Sequence, residues 1–371
     1  MRLLRLSFLA VLIRLAVGSP GDDLDDFQHC IEQCRQSTCQ EGHVHYYNRA
    51  WSFVEMPLPL HLQLLGWTCD SNCDYQCQRI ITQERKDRNE EVYQFHGKWP
   101  FLRVFGIQEL FSVLMSLGNL FVAYLGFRKL WSCVTNTKLG SLRFQFVNAL
   151  VLNVVTMFAW IFSTVFHIRD FLVTEHLDYY FAGLTVLTGF HAVGARVFSL
   201  YRPDRVLLRW SFTIGCISAY MYHIHRLITD WSYTYNMRAN IFIGVWQNVF
   251  FALLCYTLYS KYYWLEQSEE KNLCHLNYIH FKQVILPSFY SSSPKLYSLY
   301  PLLLCTIVAL GMSLEIFDFP PFFYDLIDAH SLWHLVTIIP AYMGWYDWII
   351  WDISENVIGE LVELETKKKK E

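Results

Sequence analysis

From about residue 101 the chain runs through seven apolar stretches, each close to the length that crosses a bilayer: about 104–127, 145–167, 177–199, 207–228, 239–260, 297–317 and 329–351. A bilayer core offers backbone N–H and C=O groups no water, so a spanning segment must satisfy them internally. About 20 apolar residues coiled as a helix do so. The feature therefore predicts an all-α membrane protein whose residues 101–351 form a seven-transmembrane helical bundle. With 53% hydrophobic and only 17% charged residues, the chain also has more apolar surface than one soluble domain hides. The formal net charge of -3 hides an uneven distribution and says nothing about nucleic acid, and no basic stripe interleaved with exposed aromatics suggests such a partner.

Residues 1–19 read as a signal peptide: Arg2 and Arg5, a short apolar core over Leu6 to Ile13, then small residues near Ala16 to Ser19. Six of the eleven cysteines follow directly, at Cys30, Cys34, Cys39, Cys69, Cys73 and Cys77. An even number in a secreted segment predicts a small disulfide-rich lumenal domain over residues 20–100, in preference to a zinc knuckle. Sequence leaves the pairing open among the connectivities six cysteines allow. Loop charge sets the orientation. Arg128, Lys129, Lys138, Arg143, Arg202, Arg205, Arg209, Lys261, Lys271, Lys282 and Lys295 fall in one set of loops, and only Arg169, Arg226 and Arg238 in the other. The richer set is cytosolic by the positive-inside rule, so the amino terminus is lumenal and the 352–371 tail cytosolic. That tail ends in Lys367-Lys368-Lys369-Lys370-Glu371, which reads either as a dilysine retrieval signal for the endoplasmic reticulum or as a solvated charge run.

Ionisable groups at membrane depth are costly and therefore functional candidates. Ser163 and His167 end the second stretch, Asp178 opens the third, and His330 and His334 open the seventh; the loop charges put all five at the lumenal side. His330 and His334 are four apart, which on a helix places them one turn, about 5.4 Å, apart on one face. With His167 they make a three-imidazole set suited to zinc with an open position. Zinc so held acidifies water. Asp178 is placed to take the proton and return it to the leaving group, and Ser163, one turn from His167, to hydrogen-bond an oxyanion. Asp328 reads as a solvated loop acid or helix cap before it reads as a group that orients a ligand, and Glu109, Ser112, Ser116 and Asn119 share one face of the first stretch. His191, His223 and His225 read as packing residues. These residues together read as a membrane-embedded metallohydrolase.

The pattern of Ser-x3-His, an Asp eleven residues on, and a late His-x3-His resembles the CREST superfamily of seven-span hydrolases, which includes alkaline ceramidases and adiponectin-type receptors. Glu109-x2-Ser112-x3-Ser116-x2-Asn119 is similar to that family's Glu-x2-Asn element, with Ser112 where Asn is expected. Local strings narrow the resemblance to the Per1-like branch: Gly66-Trp-Thr-Cys-Asp-Ser-Asn-Cys-Asp-Tyr-Gln-Cys77, Gln94-Phe-His-Gly-Lys-Trp-Pro-Phe101, Ser163-Thr-Val-Phe-His-Ile-Arg-Asp170, and Asp318-Phe-Pro-Pro321 leading to Asp328-Ala-His330-Ser-Leu-Trp-His334. The resemblance implies a phospholipase A2 that removes the sn-2 acyl chain of the GPI lipid after the anchor is attached to protein. Zn2+ would sit on His167, His330 and His334, with Asp178 serving the water and Ser163 the oxyanion. GPI-anchored proteins would be substrates, in the endoplasmic reticulum or Golgi membrane. The same residues admit a ceramidase-like amidase, or a seven-span receptor or metal-handling protein without hydrolysis.

Overall fold

The computed structural model describes residues 19–39, 51–54, 56–138, 140–267, 293–361 and 364. The signal-like segment up to residue 18 and the Lys367–Glu371 run lie outside the described residues. Those described are mostly helical and contain isolated β-bridges but no strand. They divide into two compact units.

The first unit joins residues 1–111 to two short returns of chain, His167–Arg169 and Asp318–Ala329. Its helices are α1 (Asp25–Cys34), α2 (Leu60–Leu64) and α3 (Cys69–Asp87). Thr68 caps α3 by accepting from the Ser71 N–H, and the Ser71 hydroxyl accepts from the Thr68 N–H. Two disulfides tie α1 to α3, Cys30–Cys77 and Cys34–Cys73, and a third, Cys39–Cys69, ties the turn after α1 to it, with Cα–Cα distances of 5.7, 5.6 and 5.7 Å. The disulfide expectation thus holds, and the structure supplies the pairing. Cysteines on α3 recur every four residues, whereas Cys34 and Cys39 are five apart. A π-helical turn over Arg35–Cys39 absorbs the extra residue and keeps Cys39 on the bonded face. Phe27, Ile31, Ile81 and Phe95 fill the space around the sulfurs.

Asp318–Ala329 is stitched to this unit by polar contacts. The Asp325 carboxylate accepts from Arg79 (2.8 Å) and Lys86 (2.5 Å), its carbonyl accepts from the Leu102 N–H (3.0 Å), and Asp318 accepts from Gln94 (2.7 Å) and Trp99 (3.0 Å). Burial pushes the Asp325 carboxyl up, but the hydrogen bonds from Lys86 and Arg79 outweigh it and hold the group below its ordinary value.

The second unit contains the long helices: α4 (Leu110–Asn136, entering the unit at Ser112), α5 (Gly140–Ile168, leaving it at Phe166), α6 (Leu172–Val197), α7 (Val206–Thr229), α8 (Tyr233–Gln267), α9 (Pro294–Tyr297), α10 (Tyr300–Ile316), α11 (Ala329–Tyr342) and α12 (Trp345–Trp351). Helix lies on every one of the seven expected stretches. Four segments among the described residues are long and apolar enough to cross a membrane: α4, α5, α8 and Pro294–Ile316. The first begins later than the 104 expected from hydropathy, because Val104 and Ile107 pair in a tight turn with Phe105 at φ 51° and Gly106 at φ 87°. That left-handed backbone cannot continue into a helix. The last stretch is two helices, because Gly344 at φ 102° ends α11 before α12.

Large apolar side chains on these helices face outward, for example Leu207, Trp210, Ile214 and Ile217 on α7, as they do where lipid is the solvent. Close packing relies on small residues. A Cβ on Gly126 would lie 2.4 Å from the Tyr346 ring, and one on Gly311 2.5 Å from Val336. At the end of α6, buried Arg196 donates to Asp352 (2.7 and 3.1 Å) and Glu360 (3.0 Å), and Tyr201 also bonds Glu360.

Candidate metal centre

In the first unit, His167 is 2% exposed, and its Nδ1 lies 2.7 Å from Glu109 Oε2. The other oxygen of that buried carboxylate accepts from Lys98 Nζ at 2.8 Å. Main-chain bonds fix the arrangement: Gln108 N–H donates to the Ile168 carbonyl and Glu109 N–H to the His167 carbonyl, both at 3.1 Å. These bonds occupy the last carbonyls of α5, which have no helical partner. Since a carboxylate only accepts, His167 carries a proton on Nδ1, and in the neutral ring Nε2 is then the electron-pair donor.

In the second unit, His330 and His334 stand one turn apart at the start of α11, with ring centroids 4.5 Å apart. His330 Nδ1 lies 2.7 Å from Glu315 Oε2, whose partner oxygen accepts from the Tyr233 hydroxyl at 2.7 Å. His334 Nδ1 lies 2.9 Å from Ser116 Oγ, which lies 3.1 Å from Ser163 Oγ. Asn119 donates to the His334 carbonyl at 2.7 Å, and Trp160 packs edge-on to the His334 ring at 5.3 Å. Ser163 is buried on α5, one turn before His167 in the same helix. Asp178 lies on α6, half-buried. Its carboxylate acts on Tyr179 together with Glu175, Glu315 and Asp170, and Tyr179 stacks on Trp231 at 5.2 Å.

The three histidines thus share one device: each has Nδ1 engaged within its own unit, by Glu109, Glu315 or Ser116. Metal-ligating histidines characteristically bind through one nitrogen while the other is held by a carboxylate or similar group. The donor chemistry of His167, His330 and His334 therefore fits a divalent metal. Cys39, Cys69 and Cys73 offer a second cluster of metal-binding atoms, but these sulfurs are taken up in the Cys39–Cys69 and Cys34–Cys73 disulfides, and a metal needs thiolates.

Glu315 is the functional candidate that sequence reasoning overlooked. Its signal was a lone carboxylate at the end of an apolar stretch. Glu109 and Ser116 emerge with definite partners. Asp328 is buried. His191 bonds Thr213 (2.9 Å) and His223 bonds Tyr235 (3.4 Å), both as interhelical packing contacts.

Comparison with known proteins places a match to the Per1-like family model over residues 59–353. The chain is 42% identical to Protein PER1 of Saccharomyces cerevisiae, over 95% of this chain and 96% of that one. It is 30% identical to Post-GPI attachment to proteins factor 3 of Drosophila melanogaster, over 89% and 88% of the two chains. It is also 28% identical to the GPI-specific phospholipase A2-like PGAP3 of Homo sapiens, over 90% and 89%. No solved structure matches.

Proposed function

The chain belongs to the Per1-like family, and from that premise we propose that it is a membrane-embedded hydrolase of the secretory pathway that removes the sn-2 acyl chain of the GPI lipid on GPI-anchored proteins. The names of its relatives support a role in GPI remodelling. The observation that carries the chemistry is the shared engagement of Nδ1 in His167, His330 and His334. It is the arrangement three imidazoles adopt when their Nε2 atoms serve a metal.

A zinc ion on these nitrogens would supply Lewis acidity, polarising the ester carbonyl and acidifying water. The side chains do the rest. Glu109 and Glu315 hold the His167 and His330 rings in the Nδ1–H tautomer. If His334 likewise keeps its proton on Nδ1, it donates to Ser116 Oγ, Ser116 donates to Ser163 Oγ, and the Ser163 hydrogen is left to donate to substrate. That hydrogen is placed to meet the oxyanion formed as water adds to the acyl carbon. Asp178 takes the proton of that water and returns it to the glycerol oxygen as the acyl–oxygen bond breaks, giving a fatty acid and a lyso-GPI. Ser163, bonded to the Ser116–His334 pair, is one turn, about 5.4 Å, from His167 along the same helix.

The reading is tested by mass spectrometry of the sn-2 chains of GPI anchors in cells lacking the protein, rescued with wild type or His330→Ala, alongside zinc analysis of both purified proteins. Remodelling restored by wild type alone, with zinc lost from the variant, is the expected result. Equal rescue by His330→Ala would remove the histidine-held metal from the mechanism.

A further inference from the structure

In the first unit Arg103 carries a buried donor for which the proposed chemistry gives no use. Arg103 and Arg169 both stack on Trp67, their guanidinium carbons 4.2 and 4.1 Å from the ring. Arg103 stacks on Tyr75 as well, at 4.2 Å. Cation–π contact fixes the plane of each guanidinium. Arg103 Nη2 donates to the neutral side chain of Asn72 at 2.8 Å, and Nη1 is buried with no acceptor among the described residues. An orphaned donor on a charged group is costly unless something completes it. Burial pushes the Arg103 guanidinium below its ordinary value, Tyr75 pulls it up, and the Arg169 charge lowers it further.

A guanidinium held in a fixed plane with a donor unused suits a tetrahedral oxyanion, whose oxygens accept its N–H bonds. The surroundings point to a lipid as its source. Trp67 donates through Nε1 to the Gly106 carbonyl at 2.9 Å. The residue before that glycine, Phe105, is 82% exposed, and Leu60 and Leu64 on nearby α2 are 69% and 77% exposed. α2 lies against Gly106, where an added Cβ would meet Leu62 at 3.1 Å. Exposed apolar side chains beside arginines and a tryptophan are the composition of a membrane interface, where phosphate headgroups lie. The Arg103 segment leads directly to Gln108 and Glu109, whose N–H groups bond the ends of Ile168 and His167.

We propose that Arg103, stacked on Trp67 and Tyr75, binds the phosphodiester of the lipid substrate and so presents the neighbouring glycerol ester for hydrolysis. This rests on the lipid-hydrolase reading above and names the group by which the substrate is held. In a phosphoinositide the phosphate is only a few bonds from the sn-2 ester, so a phosphate anchored beside the His167 segment restricts where that ester can lie.

The experiment measures binding rather than turnover. Full-length protein in phosphate-free maltoside micelles is titrated calorimetrically with lysophosphatidylinositol, monoacylglycerol or inorganic phosphate, as wild type, Arg103→Gln and Arg103→Lys. Wild type is expected to bind lysophosphatidylinositol best, with the glutamine variant weakened roughly tenfold and the lysine variant falling between, because a point charge remains without the fork. Monoacylglycerol binding should be the same in all three, which also reports an intact fold. Lysophosphatidylinositol binding the wild type no tighter than monoacylglycerol does would overturn the proposal, whatever the variants do. So would equal binding by Arg103→Gln, or inorganic phosphate binding as tightly as the lipid. Because hydrolysis is not read, a protein that binds the lipid headgroup but leaves GPI anchors intact would refute the hydrolase reading alone.

Discussion

Replacing Glu109 tests whether the carboxylate behind His167 works as a metal-site support. The carboxylate is 4% exposed and joins His167 Nδ1 at 2.7 Å to Lys98 Nζ at 2.8 Å. Glu109→Gln keeps a carbonyl that accepts from Nδ1–H but removes the charge. Hydrogen bonds to charged groups contribute about 1.5–3 kcal/mol against about 0.5–1.5 for neutral ones. The imidazole should therefore lose about 1–1.5 kcal/mol of support, which is roughly fivefold to tenfold in metal affinity. Glu109→Ala leaves both His167 and Lys98 without the charge. Breaking a buried pair in that way costs about 3–5 kcal/mol of stability, and loss of such a supporting group lowers metal affinity roughly tenfold to a hundredfold. Competition with a chromophoric zinc chelator on the purified protein measures the affinities, and thermal unfolding measures the stability. The expected order of affinity is wild type, glutamine, alanine. An unchanged zinc affinity in the alanine variant, with the stability loss still present, would show Glu109 to be only a packing ion pair.

Two further outcomes follow from the first unit. Replacing Cys34 and Cys73 together by serine removes the middle of three nested disulfides; because the outer and inner bridges remain, only a short loop is released and the cost should be about 2–3 kcal/mol. Limited proteolysis should then cut this segment faster while the long helices stay resistant, and resistance equal to wild type would count against the bridge as a support of this segment. Because the folded Asp325 carboxyl is held below its ordinary 3.8, the stability it contributes is complete above about that pH and is lost as pH falls through the lower folded value. Thermal melting across that acid range should show wild type losing more stability than Asp325→Asn, and parallel curves would contradict the Arg79 and Lys86 assignment.

Much of the architecture was readable from local pattern. Apolar length called for helices at seven places, and helices stand at all of them. Where the reading slipped, a backbone feature overrode hydropathy: Phe105 and Gly106 at positive φ delay α4, and Gly344 divides the last stretch. The cysteines show the same division. Their number and location called for disulfides, yet the pairing waited on the π-turn at Arg35–Cys39, which decides that Cys39 joins Cys69.

The candidate site was legible only as a set of donors. Ser163, His167, Asp178, His330 and His334 stood out because polar groups are expensive in apolar segments. Nothing local could assign their partners: Glu109 is 58 residues from His167, Glu315 is 15 from His330, and Ser116 is 218 from His334. The sequence by itself determined which segments are helices, which segment is cross-linked and which side chains carry ligand chemistry. Those properties follow from the length, period and polarity of neighbouring residues. Only the tertiary structure decided which carboxylate or hydroxyl holds each imidazole, and that two arginines share one tryptophan. A hydrogen bond or a stacking contact is a short-range interaction between atoms, and folding alone brings residues so distant along the chain within its reach.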